Sequence, residues 1–461
     1  DTMELSSLLD KYESTTLTLP ALPKSYIKVE IFDETFQKSI GHSQQNCLLP
    51  FARSESYSIP IRSSRTLIDV PRNAHNPHGV KEVHEIEFDI KALSTVFRFN
   101  PGDNIGILPI NSANDVSFVL NKLSLNDLSD RKIEIQLIAD SKKKLPKYLP
   151  LHTSIRECLS ECLDLRTIPK KLFLRCLLEY LDVKERRVLE ILCSKEGADE
   201  YKSERYLNGS TTFLAILSWF ESWKQIPFHL LLEHLPRLLP RPYSIANSPL
   251  KDPNVFKIWF SVNDPPGVTT TMLLKRIQEA EEKVETNVCL YLRESQPFIY
   301  TENEIKDPVI LIAAGVSLSP FLGFLEHRQE QLKLTGKDQL SNASLFFGSR
   351  YEKNNRCRDI LVQHLQTGSL NDLMEAFSWD VDSKQRHVQD LIALNESLIA
   401  ERLKADCRIY VCGNLDMTAD IRKLLCKCLM TDSEKYETER QAEIFLQQLI
   451  DDKRYVESTW W

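Results

Sequence analysis

Apolar and polar positions alternate at 83–90, VHEIEFDI, and again along 96–109, VFRFNPGDNIGILP, where Pro-Gly-Asp separates two runs. Period-two alternation broken by such a turn predicts strands of an antiparallel sheet, and a barrel begins here. From about 112 to 235 the period lengthens. Segments such as KKLFLRCLLEYLDVKERRVLEILCSKEG (170–197) repeat Leu, Phe and Ile at three-to-four spacing, which predicts a helical block. Strand-like runs return at 253–262 (PNVFKIWFSV) and 286–293 (TNVCLYLR), so the barrel resumes after the helical insertion. From about residue 307 the short apolar runs PVILIAAG, SLFFGSR and CRIYVCG are each followed by a polar loop. Helical stretches such as LSPFLGFLEHRQEQL and TADIRKLLCKCLM come next, the order of a parallel sheet with crossover helices. Ahead of all this, TLTLPALP at 16–23 reads as an extended linker because its prolines disfavour a packed element.

Length and composition narrow the class without choosing a function. The 461 residues suggest two to four domains, and 42% hydrophobic with 27% charged residues is enough apolar material for sizeable cores. Lys and Arg number 58 against 65 Asp and Glu, a net charge of −7, so non-specific attraction to nucleic acid is not expected. The 11 cysteines form no CxxC pair and no Cys/His ladder, which argues against a zinc site and against a secreted disulfide scaffold. No run approaches the length of a membrane span, so a soluble, cytoplasmic protein is expected, with no membrane partner. The chain starts at Asp1 rather than Met, the expectation for a fragment or a processed product. Glycine is scarce, 13 in all, so any loop that cradles phosphate must do so with few of them.

Five segments carry candidate chemistry. In RPYS, Arg241 suits a diphosphate, the ring of Tyr243 a flat heterocycle and the hydroxyl of Ser244 a ring nitrogen, a set that fits a flavin; alone, RPYS equally describes an ordinary strand start. Gly267, Val268, Thr269, Thr270 and Thr271 precede a helical pattern, where a glycine, threonine hydroxyls and free amides suit an anion; the competing reading is a plain threonine-rich N-cap. In ILIAAGVSLSPFLGFL, Gly315 falls at a strand's carboxyl end and Pro320 opens the next helix, the place for a nucleotide in an open α/β sheet or simply a strand turning into a helix. Arg350 and Ser378 end strands and can hold a phosphate, and Cys412 can lie beside a nicotinamide or be a small core residue. Last, the chain ends in Trp460 and Trp461, of which at least one is expected to bury its indole against the body or a flat ligand.

Taken in order, RPYS, GVTTT, SPFLGF, FFGSR, AFSW…HVQ, YVCG and a tryptophan-bearing end resemble the reductase half of the NADPH-dependent diflavin reductases. Within that family the resemblance runs to the methionine synthase reductase branch through LLEHLPRLLPRPYS (231–244), IPKKLFLRCLLEYL (168–181), LCSKEGADEY (192–201) and LTLPALPKSYIKV (17–29). It implies a multidomain fold of α+β and α/β class: an antiparallel FAD-binding β-barrel interrupted by a helical connecting domain, then a parallel-sheet nucleotide-binding domain. The boundaries expected are 1–55 for a linker, 56–111 and 236–300 for the barrel, 112–235 for the connecting domain and 301–461 for the NADPH domain. The cofactors implied are FAD and NADPH, with FMN only in a flavodoxin domain that this chain is expected to lack. That flavodoxin domain and methionine synthase, with its cobalamin, are the implied partners.

The same resemblance assigns roles by position. Arg241, Tyr243 and Ser244 would hold FAD, Gly267 and Thr269 to Thr271 its diphosphate, and Trp460 would cover the isoalloxazine and swing aside for nicotinamide. Gly315, Pro320, Arg350, Ser378, Gln389 and Cys412 match NADPH-side positions, with Ser244 and Cys412 near the hydride path. Four departures bear on this. The family's GTGIAPF loop is here GVSLSPF, with Val316 and Ser317, so nucleotide binding is expected to weaken. Trp379 replaces an arginine for the 2′-phosphate, with Lys384 or Arg386 as possible compensation, which opens NADPH against NADH. Asn414 and Ser458 replace acidic residues, with Glu457 as a possible substitute, and a slower hydride step is expected. The alternative functions are a catalytically weakened FAD-binding interaction module or a diflavin reductase of cytochrome P450 reductase type.

Overall fold

The computed structural model describes residues 2–69, 82–203, 206, 211–294, 297–335, 340–350, 352, 356–379, 384–405, 407–431 and 436–460. The chain divides into two compact units, one of residues 1–50 with 108–241 and one of 51–107 with 242–461. Strands are numbered β1 to β14 in chain order.

In the first unit, strands β1 (Ile27–Thr35), β5 (Arg131–Leu137) and β6 (His152–Ser154) form a three-stranded antiparallel sheet. The linker expected over 1–55 is therefore corrected in part: a helix, Thr2–Lys11, and a strand lie within it. The physical reason is IKVEI. Its Ile27, Val29 and Ile31 fall opposite Leu137, Ile135 and Ile133, so the alternation finds a partner some hundred residues away that flanking prolines hide from a local reading. Glu233 fixes this strand to the helical layer, its Oε1 accepting the backbone N–H groups of Tyr26 and Ile27, both at 2.8 Å. The helices follow the predicted spacing and are capped as the sequence allows. Ser112, Asp182 and Thr212 accept from the amides of Asp115, Glu185 and Ala215 at the heads of Ala113–Lys122, Val183–Cys193 and Phe213–Trp219.

The second unit holds two sheets. Six strands run in the order β7 (Arg241–Ser244), β4 (Asn104–Ile107), β9 (Asn287–Arg293), β2 (Tyr57–Asp69), β3 (Glu82–Asp89) and β8 (Val255–Val262). The two outer strands are tied together just past β7, where Ile245 bridges Ile258 and the amide of Ala246 donates to the Lys257 carbonyl at 2.8 Å. The run VFRFN is not a ladder strand as its alternation predicts. Phe97 and Phe99 are buried while their neighbours are not, and Phe97 stacks on Phe256 at 5.2 Å. Alternating burial needs an extended backbone but not a hydrogen-bonded partner, which is why the pattern misassigned the element.

The second sheet is parallel, in the order β12 (Asp372–Phe377), β11 (Ala343–Ser349), β10 (Val309–Ala314), β13 (Arg408–Asn414), β14 (Tyr455–Trp460). From β10 the chain moves outward to β11 and β12, then returns on the other side as β13 and β14. The reversal lies between β10 and β13, and a crevice at the carboxyl ends of two such strands is where open α/β sheets take ligands. Apolar residues cover both faces, Leu311, Leu345 and Phe347 in one core and Ile312, Phe346 and Val411 in the other, which explains strands that read as continuous hydrophobic runs. No helix of the described residues is long and apolar enough to cross a membrane, and none of the eleven cysteines is in a disulfide.

Candidate functional site

Strand β7 presents Arg241, Tyr243 and Ser244 in a row. Arg241 is exposed, with Nη1 donating to the Leu239 carbonyl at 3.2 Å, and Tyr243 is half-buried. Ser244 Oγ donates to Asn104 Oδ1 at 2.9 Å. The next amide, of Ile245, donates to the Asp103 carbonyl, also at 2.9 Å. Asp103 is buried and clamped, its Oδ2 accepting from Arg53 Nη2 at 2.7 Å and from the Asn100 amide at 2.8 Å; burial still pushes its carboxyl above the ordinary range. The Ser244 hydroxyl thus sits on a braced turn. Asn104 and Asp103 are residues that the linear sequence gave no reason to single out, because each acts on a strand 140 positions away.

Gly267 is the N-cap of the helix Val268–Glu281, so the amides of Val268, Thr269 and Thr270 have no acceptor within the helix. Thr271 closes the first turn, its amide and Oγ1 both donating to the Gly267 carbonyl at 2.9 Å. Thr269 is buried, and its Oγ1 has no hydrogen-bond partner among the described residues. A Cβ placed on Gly267 would meet nothing within 4 Å. An orphaned buried hydroxyl, free amides and open space above a glycine fit a diphosphate.

At the reversal of the parallel sheet, Gly315 follows β10 with φ +60°, a left-handed conformation that favours glycine, and a Cβ there would also point into space empty to 4 Å. Ser317, in the position of a family glycine, is buried and turns its hydroxyl inward: Oγ accepts from the Ala314 amide at 3.0 Å and donates to the Ala314 carbonyl. The loop stays open on its outer face despite the substitution. Pro320 is buried in the first turn of the helix Ser319–Thr335, where its missing N–H is no loss. The open Gly315 and the head of this helix fit the pyrophosphate of a nucleotide.

At the carboxyl ends of β11 and β12, the guanidinium of Arg350 lies 4.9 Å from the ring of Trp379, and the Trp379 amide donates to the Arg350 carbonyl at 2.9 Å. The residue in place of the family's arginine therefore holds another arginine by its π-face. Ser378 is half-buried, its amide donating to the Ser349 carbonyl at 2.9 Å and its Oγ to the same oxygen at 3.4 Å. Gln389 is half-buried in the helix Val388–Leu394, and Lys384 and Arg386 are exposed.

Cys412 pairs in register with Ser458 across β13 and β14. It is 1% exposed, and burial pushes its thiol up to about 12 while the Ser458 side chain pulls it slightly down. Near neutral pH it is a neutral thiol. We expect Cys412 to resist iodoacetamide at pH 7.5 in the folded protein and to react once the chain is unfolded, read by peptide mass spectrometry. Asn414 ends β13 and caps the next helix, its Oδ1 accepting from the Met417 amide at 2.8 Å, a task that an aspartate would do with charge.

Glu457 does not stand in for the acid missing at Ser458. Its carboxylate accepts from Arg422 Nε at 2.7 Å and from the Tyr455 hydroxyl at 2.5 Å, and successive strand residues face opposite sides. Val456 belongs to the same core as Cys412, whereas Tyr455 belongs to the other. The side chain of Trp460 and the whole of Trp461 lie outside the described residues; the backbone of Trp460 pairs with Asn414.

Comparison with known proteins agrees with this geometry. Residues 50–271 match the family model of an FAD binding domain, and residues 311–423 that of an oxidoreductase NAD-binding domain. The class is thus a flavoprotein with a nicotinamide-nucleotide domain, and its cofactors are FAD and NADPH. Rat methionine synthase reductase is 28% identical over 97% of this chain and 66% of its own length. The human protein is 29% identical over 96% of this chain, again with 66% of its own length covered. NADPH–cytochrome P450 reductase of Drosophila melanogaster is 31% identical over 91% of the chain and 60% of its own length. The chain belongs to the diflavin reductases and corresponds to their FAD- and NADPH-binding half, spanning just under two thirds of the methionine synthase reductases it matches.

Proposed function

We propose that this chain receives electrons from NADPH and stores them as reduced FAD in an enzyme of methionine synthase reductase type, which hands them to an FMN-binding flavodoxin domain and on to the cobalamin of methionine synthase. In this reading the six-stranded sheet is the FAD barrel, the unit of 1–50 and 108–241 contains the connecting domain, and the parallel sheet takes the nucleotide. One observation carries it. Ser244 at the end of β7, the head of the helix Val268–Glu281 and the crevice at Gly315 and Cys412 belong to the same compact unit, and Gly267 and Gly315 each leave open space that fits a phosphate.

FAD supplies the chemistry of accepting a hydride from nicotinamide, and the protein supplies position and electrostatics. Arg241 would hold FAD, and the head of the helix Val268–Glu281 would bind its diphosphate. Tyr243 offers its ring to the flat heterocycle. The Ser244 hydroxyl, held by its hydrogen bond to Asn104, would set its oxygen at the reacting edge. Gly315 would let the backbone approach the nucleotide pyrophosphate, and Arg350, its guanidinium 4.9 Å from the ring of Trp379, would meet the adenosine end. The pair Cys412 and Ser458 offers neutral groups near the nicotinamide, and with Asn414 neutral too the cation formed on oxidation gains less stabilisation than a carboxylate would give. A slow hydride step follows from that.

The test is anaerobic addition of NADPH to FAD-loaded protein. We expect the flavin band near ~450 nm to bleach, and no bleaching over hours overturns the reading. Reactivation of cobalamin-bound methionine synthase, once a flavodoxin domain is supplied, separates this reading from a reductase of cytochrome P450 type.

A further inference from the structure

Four residues past Ser244, the chain is fastened to the helix that carries the nucleotide loop. Ser248 is fully buried. Its amide donates to Glu326 Oε2 at 2.8 Å, and its Oγ lies 3.0 Å from His327 Nδ1 while accepting from the Leu250 amide at 3.2 Å. The imidazole tautomer decides which of the two is the donor, and with either one the bond ties the helix to the chain past Ser244. Burial holds His327 below its ordinary pKa, consistent with a neutral ring, and Nε2 is buried without a partner. An unsatisfied ring nitrogen is a cost that the site bears to keep the other one on Ser248.

Two further contacts act at the same place. A Cβ on Gly323 would approach the Asn247 carbonyl oxygen to 3.1 Å, so a glycine permits the helix to press on the strand's continuation. Asn247 is itself fixed, its Nδ2 donating to the Val255 carbonyl at 3.1 Å and its Oδ1 accepting from the Lys257 amide at 2.7 Å. Lys251 closes the outside, Nζ to Glu326 Oε1 at 2.8 Å. The helix in question, Ser319–Thr335, begins four residues after Gly315.

We propose that Ser248, His327 and Glu326, with the Gly323–Asn247 contact, form a positioning clasp that sets the separation between the flavin-side hydroxyl of Ser244 and the nucleotide loop at Gly315. This rests on the functional reading above. None of these residues lines either cradle; each acts through the elements it joins. Hydride transfer is steeply sensitive to donor–acceptor distance, and a misplacement of about 1 Å costs roughly 100-fold. A clasp that slackens by a few tenths of an ångström therefore slows the transfer before it releases either cofactor.

The test uses two variants, Ser248→Ala, which removes the hydroxyl, and Gly323→Ala, which pushes on Asn247 without touching a hydrogen bond. For each, FAD content is read from the absorption spectrum, NADPH affinity from the concentration dependence of anaerobic flavin reduction, and the transfer rate from its limiting value. We expect a roughly tenfold fall in the limiting rate with FAD content unchanged and NADPH affinity within about twofold. A limiting rate within twofold of the parent in both variants overturns the clasp alone, as does a fall that merely tracks lost FAD or lost affinity. Absence of bleaching in the parent protein overturns the functional reading and the clasp with it.

Discussion

Gly315→Val is expected to remove NADPH-driven flavin reduction almost completely while leaving a folded, FAD-containing protein. The position has φ +60°, where a side chain is strained by about 1–2 kcal/mol and a β-branched one by somewhat more. No atom beyond the adjacent residues lies within 4 Å of the new Cβ, so the side chain enters open space. The thermal midpoint should fall by a few degrees only. The branched side chain would occupy the space above the loop at the reversal of the parallel sheet, the place that a pyrophosphate would take. We expect the rate of reduction by NADPH at fixed concentration to fall about 100-fold or more, because nucleotide held off the loop by an ångström loses both affinity and alignment. Reduction of the same flavin by dithionite, which needs no pocket, should match the parent. A variant that still bleaches with NADPH at near-parental rate shows that the nucleotide does not sit at this loop.

The open face of Gly315 also marks how far the sequence could be read. The parallel sheet was legible because buried strands carry the signal in themselves: ILIAA, SLFF and IYVC are apolar on both faces and leave no alternation to misread. Gly315 and Cys412 could be placed at strand ends on that basis. Strand β1 was not legible, because the partners of Ile27, Val29 and Ile31 lie a hundred residues on and its flanks are rich in proline. Long-range pairing leaves no mark in a local window.

Site chemistry divides in the same way. Positions that offer their own backbone, such as Gly267, announce themselves by type and neighbours. Residues that act by bracing others do not: Asn104 under Ser244 and His327 on Ser248 are ordinary polar residues until the fold closes. The position of Glu457 next to Ser458 suggested a substitute carboxylate, yet one step along a strand is a change of face, and the acid is held by Arg422 and Tyr455. Trp379 looked like the loss of a phosphate ligand. Its ring against Arg350 converts that loss into support for a neighbouring guanidinium, an outcome that depends on two strand ends meeting in space.

At the opposite end of the same sheet, Arg328→Met is expected to give the largest loss of stability with the least change in chemistry. Arg328 is 1% exposed, in the middle of the helix Ser319–Thr335. Its Nε donates to the Ser369 carbonyl at 2.7 Å, Nη1 to the Tyr300 hydroxyl at 2.9 Å, and Nη2 to the Ser341 carbonyl. Ser341 and Ser369 precede β11 and β12, and Tyr300 stacks on Phe324 at 4.8 Å, so one guanidinium satisfies three groups at the amino ends of the strands. Methionine fills a similar volume but leaves the buried Ser369 carbonyl, the half-buried Ser341 carbonyl and the buried Tyr300 phenol oxygen without their donor. Removing one side of such a buried network costs about 3–5 kcal/mol. The urea midpoint should drop accordingly, and Arg328→Lys should recover only part of it, because an ammonium cannot span three acceptors with the planar fork. The proposed nucleotide cradle at Gly315 lies at the carboxyl ends, the far side of the sheet, so the fraction that remains folded should reduce its flavin with NADPH at close to the parental rate. A loss of that rate per bound FAD, with the urea midpoint unchanged, would mean that Arg328 serves the chemistry rather than the fold.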